Sequence, residues 1–223
     1  YGQTKNMDMT LKNVSADVSE NAWATVSTTH PDASFTNPTF NYGNINADAI
    51  SITSADVFTL TVDNDIVDQT PISYQVQMTD DSDQIWNETK TVLVQAPAFT
   101  IGALSVSDTT GNNDGILDPG ETANILISVT QTGHADVSNV IGSIVSADTQ
   151  WVLNSVTTSP VAMTVGSTQI FLFNVTALAE TPDGTPVHLD FSVSGGVNSQ
   201  YSKPKVFEII IGFVPEYCTA SGD

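Results

Sequence analysis

Apolar side chains fall at every second position over much of this chain. Ala123, Ile125, Ile127 and Val129 form one such run, and Val187, Leu189, Phe191 and Val193 form another. Ile72, Tyr74, Val76 and Met78 form a third. A period of two places one set of side chains on one face of a pleated strand and the other set on the opposite face. The spacing predicts strands over 4–12, 22–28, 57–62, 72–79 and 85–95 in the first half. In the second half it predicts strands over 98–106, 122–130, 139–146, 151–156, 168–176, 187–194 and 205–211. Between these runs lie clusters of Gly, Pro, Asn and Asp, which punctuate strands, and no stretch carries a helical period. The expected fold class is all-β, built of antiparallel sandwiches.

The chain also resembles itself. Tyr1-Gly2-Gln3-Thr4 aligns with Pro119-Gly120-Glu121-Thr122, and Met7, Met9 and Leu11 then fall on Ile125, Ile127 and Val129. Ala16-Asp17-Val18-Ser19 returns as Ala135-Asp136-Val137-Ser138, one residue further along. Gln69-Thr70-Pro71 parallels Gly184-Thr185-Pro186, and each Pro leads into an alternating strand. So many anchors in one order indicate two copies of one fold. The expected division is a first sandwich over 1–96, a second over 97–212, and a linker over 213–223.

Between two strands of the second copy lies Asp108 to Glu121, DTTGNNDGILDPGE. With Thr110 as position 1 of a twelve-residue cation loop, Asn112 is third, Asp114 fifth and Gly115 sixth. Ile116 is then seventh, Asp118 ninth and Glu121 twelfth. Side-chain oxygens at the early odd positions, a Gly at the turn, a backbone carbonyl at the seventh and a final bidentate Glu make an oxygen cage for calcium. Thr110 departs from the usual Asp, and Asp108 is placed to supply the missing carboxylate. The flanks are strands, so such a site would stabilise rather than switch. The competing reading is an acidic turn without metal, because Asn-Asn-Asp-Gly and Asp-Pro-Gly form turns unaided. In the first copy the closing Glu is replaced by Gln3, a neutral and weaker ligand, so metal is expected in the second copy only.

Composition narrows the partners. Lys plus Arg total 5 against 25 Asp plus Glu, a net charge of −20. Nucleic-acid binding needs clustered cations and is excluded as an expectation; anionic membranes are disfavoured. No run of eighteen apolar residues is present, so no membrane span is expected. Cys218 is the single cysteine, which excludes an internal disulfide. No signal peptide opens the sequence; with a loop of extracellular type, that suggests an internal piece of a secreted or cell-surface protein.

The D…N-x-D-G-x-L-x-P-G-E loop is followed by an alternating strand, then by Asn139-Val140, the Gly184-Thr185-Pro186 turn and a closing strand ending Ile-Ile-Ile-Gly. This order resembles the tandem immunoglobulin-like repeats found behind the catalytic domains of gingipain-type cysteine peptidases and in other secreted or surface proteins of Bacteroidetes-like bacteria. The resemblance implies two immunoglobulin-like sandwiches, calcium as cofactor and a non-catalytic role beside other domains of the same parent protein. It carries ligand roles to Asp108, Asn112, Asp114 and Glu121, with Ile116 giving its carbonyl.

Other candidate chemistry is thin. His30, His134 and His188 have no metal spacing and read as solvated surface groups. Cys218 has no cationic neighbour in sequence to lower its pKa. Asp63, Asp65 and Asp68, then Asp80, Asp81 and Asp83, cluster at strand ends and read as turn residues. Trp23, Trp86 and Trp151 raise a second possibility, a module binding extracellular glycan or protein through exposed aromatics, with Trp86 as its candidate. No motif for an enzyme is present.

Overall fold

The computed structural model describes residues 2–52 and 57–212. The chain separates into two compact units that divide between Ala96 and Pro97. The expected linker and Cys218 lie outside the described residues. All regular structure among the described residues is β, in antiparallel sheets.

The first unit contains β1 (Thr4–Met7), β2 (Thr10–Lys12), β3 (Ser19–Ser27), β4 (Ala33–Asn37), β5 (Thr39–Ile45), β6 (Ile50–Ile52), β7 (Phe58–Val62), β8 (Pro71–Thr79) and β9 (Ile85–Leu93). A four-stranded sheet has the order β5-β3-β8-β9, a three-stranded sheet the order β1-β7-β4, and β2 pairs with β6 alone. The core gathers Ala22, Ala24, Val26, Tyr42, Ile45, Phe58 and Val76.

The strand predicted over 4–12 is therefore two strands. The chain changes partner at Asp8–Met9, running from β7, where Met7 faces Phe58, to β6, where Leu11 faces Ser51. A break in a ladder must satisfy the carbonyls it releases. Here the Tyr42 hydroxyl donates to the Met9 carbonyl at 2.7 Å. Strands β4, β5 and β6 were absent from the sequence expectation. Their segments are rich in Asn, Ser, Thr and Gly, and cross-strand pairing rather than propensity makes them strands.

The second unit contains β10 (Phe99–Ser107), β11 (Thr122–Gln131), β12 (Val137–Val145), β13 (Trp151–Leu153), β14 (Val161–Met163), β15 (Thr168–Ala177), β16 (Thr185–Gly195) and β17 (Tyr201–Ile211). It is a four-on-four sandwich, with sheets ordered β10-β11-β15-β13 and β14-β12-β16-β17. The period-two residues of β11, β15 and β16 are its interior: Ile125, Ile127, Val129, Phe173, Val175, Leu189 and Val193 are wholly buried. Each such large side chain contributes on the order of 1.5–3 kcal/mol over its exposed state. Phe191 sits edge-on to Phe173, their ring centres 6.0 Å apart. Gly142 of β12 lets these rings approach the backbone, since a Cβ there would lie 2.9 Å from Phe171 and 3.2 Å from Phe173. In β10 the register shifts between Ile101 and Leu104, and Lys205 Nζ donates to the carbonyls of Ile101 and Gly102 at 3.3 and 2.8 Å. The short β14 was not expected either; most long strands stand within a residue or two of their predicted bounds, while β3 and β17 begin three and four residues earlier than expected.

Candidate cation loop and aromatic groove

The acidic loop bridges β10 and β11, and two buried side chains fasten it. Leu117 is wholly buried, and its backbone forms a parallel bridge with Ile211 at the end of β17. The Gly212 amide donates to the Leu117 carbonyl at 2.8 Å, extending that bridge. Asp108 is 2% exposed, an unusual place for a carboxylate. Its two oxygens accept the backbone N–H groups of Asp114 at 3.0 Å and Gly115 at 3.2 Å. Charge-assisted bonds of this kind hold the loop as a folded unit. Gly115 at φ +83° and Asn113 at φ +61° take the left-handed turns that the tight path demands.

The remaining predicted ligands lie on the outer side. Asn112 and Asp114 are exposed, Ile116 and Glu121 half-buried. Asn112 Oδ1 accepts the Asp114 amide at 3.0 Å, while its Nδ2 donates to Asp114 at 3.1 Å and to Asp118 at 2.9 Å. Glu121 Oε2 accepts the Asp118 amide at 3.1 Å. The other Glu121 oxygen lies so close over Gly111 that a Cβ there would overlap it. Thr110 donates its hydroxyl to the Thr122 carbonyl at 3.2 Å, so it serves the strand start rather than the cage.

The donor set suits calcium: four carboxylates, a carboxamide and a backbone carbonyl, all hard oxygens within one loop. Among the described residues, however, no three acidic, histidine or cysteine side chains converge at coordinating spacing. The Asn112 amide instead bridges the Asp114 and Asp118 carboxylates. The anchoring role of Leu117 was missed from sequence. Its one available sign was an apolar residue inside an otherwise polar loop.

In the first unit the equivalent Gln3 gives its carbonyl to the Val62 amide at 3.2 Å, continuing the β1–β7 ladder. Members of the acidic clusters there accept hydrogen bonds from neighbouring groups. Asp80 accepts from Ser82 and Ser19, and the Ser82 hydroxyl chiefly holds its carboxyl below the usual range. Asp81 accepts from Asn21 at 2.9 Å, and Asp68 from the Ala96 amide at 2.9 Å. His188 lies 3.4 Å from Asp148 and 3.7 Å from Glu208 on the exposed face of β16.

The tryptophans divide. Trp151 is buried in the second unit, where its Nε1 donates to Ser146 Oγ at 3.0 Å, so it is part of the core and no platform. Trp23 and Trp86 are 40% and 48% exposed. Both line a groove of about 550 Å³ in the first unit, floored by Leu11, Ile45 and Met78 and rimmed by Asp17, Asp80 and Ser82.

No protein-family model matches the chain. No curated protein matches it. Among solved structures, Escherichia coli alpha-2-macroglobulin in its native conformation is 14% identical over 78% of this chain and 9% of its own, with a TM-score of 0.38. Red sea bream transglutaminase is 8% identical over 96% of this chain and 30% of its own, with a TM-score of 0.37. The BspA_C_WT structure is 7% identical over 92% of each chain, with a TM-score of 0.33. This chain thus spans less than a third of the first two proteins. Likeness at this level assigns no activity, ligand or partner.

Proposed function

We propose that this chain is a non-catalytic accessory module of a larger secreted or cell-surface bacterial protein, with a peptidase as the parent the sequence resemblance favours. Calcium at Asp108, Asn112, Asp114, Glu121 and the Ile116 carbonyl stabilises the second unit. The observation that supports this reading is the anchoring of the acidic loop. The loop is fixed at Leu117 to the last strand and at Asp108 to its own backbone amides, which holds its acidic side chains together in one place. A cation there would relieve the mutual repulsion of four carboxylates and tie β10, β11 and β17 together, and its binding free energy would add to folding stability. Calcium titrated calorimetrically into the metal-free chain is expected to bind at one site, and Glu121→Gln to weaken that binding at least tenfold. Heat of binding absent from the wild-type chain would sink the proposal.

A second reading rests on the groove beside Trp23 and Trp86. Two exposed indoles over an apolar floor with a polar rim offer a stacking surface for an extracellular glycan or a protein side chain. Pull-down or glycan-array signal that Trp86→Ala abolishes would favour it over the purely structural role.

A further inference from the structure

We propose that β9 is a self-pairing edge, and that its occupant is β9 of a second copy of this chain, antiparallel, with the twofold axis at Thr89. Strand β9 is last in the order β5-β3-β8-β9 and pairs with β8 along its whole length. Its opposite edge takes part in no ladder among the described strands. A long edge with free backbone donors and acceptors is a template for another strand. Every residue of β9 is exposed, whereas most strands in the molecule alternate. Among them are Ile85 at 58%, Trp86 at 48% and Leu93 at 55%.

The sequence of this edge identifies the partner. Ile-Trp-Asn-Glu-Thr-Lys-Thr-Val-Leu reads the same in either direction by chemical class. Paired about Thr89, Glu88 of one copy lies opposite Lys90 of the other, and the reverse pair forms by symmetry. Trp86 meets Val92, and Ile85 meets Leu93, so the apolar ends cover each other. Such cross-strand pairs are the units that stabilise sheets.

Register is selective as well. Adjacent residues of a strand point their backbone groups to opposite edges, so an antiparallel self-pairing can shift only in steps that move the twofold by one residue. Moving it to Glu88 sets Glu88 against itself, and moving it to Lys90 sets Lys90 against itself. Only the axis at Thr89 makes both ion pairs. In the single chain Lys90 instead bonds Glu88 of its own strand at 2.5 Å, and their exchange across the twofold leaves no charge unmatched. The strand is neutral in a chain of net charge −20, so this edge is a place where two copies can meet without the repulsion that separates them elsewhere. The result is a continuous eight-stranded sheet, built from two four-stranded ones.

The test is sedimentation velocity on the full chain over a concentration series, with Glu88→Lys, with Lys90→Glu, and with the two variants mixed. Both side chains are exposed, so each variant should fold. The wild-type chain is expected to dimerise with rising concentration. Each variant alone places like charges opposite each other twice and should weaken association about tenfold. The equimolar mixture restores both ion pairs and should associate as the wild type does. A wild-type chain that stays monomeric to millimolar concentration overturns the proposal, even if it captures a foreign extended peptide. Variants that dimerise unchanged would place any self-association elsewhere. A mixture that gains nothing would exclude the antiparallel register about Thr89.

Discussion

The two units begin their matching strands alike and finish them differently. In the second, β11 runs unbroken for ten residues, and Ile125, Ile127 and Val129 are all 0% exposed. In the first, the aligned Met7, Met9 and Leu11 are only half-buried, and the strand breaks between them. The alternation is the same, so alternation alone does not set the outcome. β-branched Ile and Val pack stiffly on a pleated face, whereas Met is unbranched and adaptable. The partners differ too. β11 lies between two long strands, β10 and β15, whereas β1 and β2 meet the shorter β7 and β6. A closed four-on-four sandwich results in one unit, and a sheet faced by smaller pieces in the other.

That contrast can be broken most strongly in the second core. Phe173→Ala should cost about 3–5 kcal/mol, because a wholly buried ring leaves a cavity among Phe171, Phe191 and Gly142. Urea unfolding followed by Trp151 fluorescence should shift accordingly, while signals from the first unit stay put. Leu117→Ala should cost about 2–5 kcal/mol and release the loop from β17, read as faster amide exchange at Gly212 and along the end of that strand. Asp108→Ala strands the Gly115 amide, leaves that of Asp114 with Asn112 alone, and should cost about 1–3 kcal/mol by the same urea measurement.

The smallest effect sharpens the first unit's side. Burial, then the nearby Asp8 charge, push the Tyr42 phenol up to about 12. Its unfolded counterpart ionises near 10, so the unfolded state loses its proton first. Stability from this group is fully present below pH 10 and is lost as pH rises from 10 towards about 12. Tyr42→Phe should remove that alkaline loss and cost about 1 kcal/mol at neutral pH for the hydrogen bond to Met9. Alkaline unfolding of the wild type and the variant, compared side by side, reads both.

The long strands were legible because burial on one face writes period two directly into the sequence, as in β11, β15 and β16. β4, β5 and β6 were not, because Asn, Thr and Gly carry little face information and their state is fixed by distant partners. The break at Asp8–Met9 was hidden for a related reason, since it depends on Tyr42, more than thirty residues away. In the loop, residue types and spacing suggested a set of oxygen ligands, with Asp108 supplying a carboxylate to the cage. What spacing did not disclose is that both its oxygens serve backbone amides, or that Leu117 carries the anchor. Trp86 alternates with Glu88 and Lys90, which put it on the outside, where it stands; Trp151 carried no such sign, and only its burial shows it to be core.

The most direct test of the cation clamp uses that separation. Thermal unfolding of the full chain, with calcium and with excess chelator, can be followed by near-ultraviolet circular dichroism and tryptophan emission. Trp151 reports the second unit, while Trp23 and Trp86 report the first. Calcium is expected to raise the melting temperature of the Trp151 transition alone, and Glu121→Gln to abolish that response. A Trp151 transition indifferent to calcium, or both units shifting together in wild type and variant alike, would contradict the account and leave Asp108–Glu121 as an acidic turn held by its own hydrogen bonds.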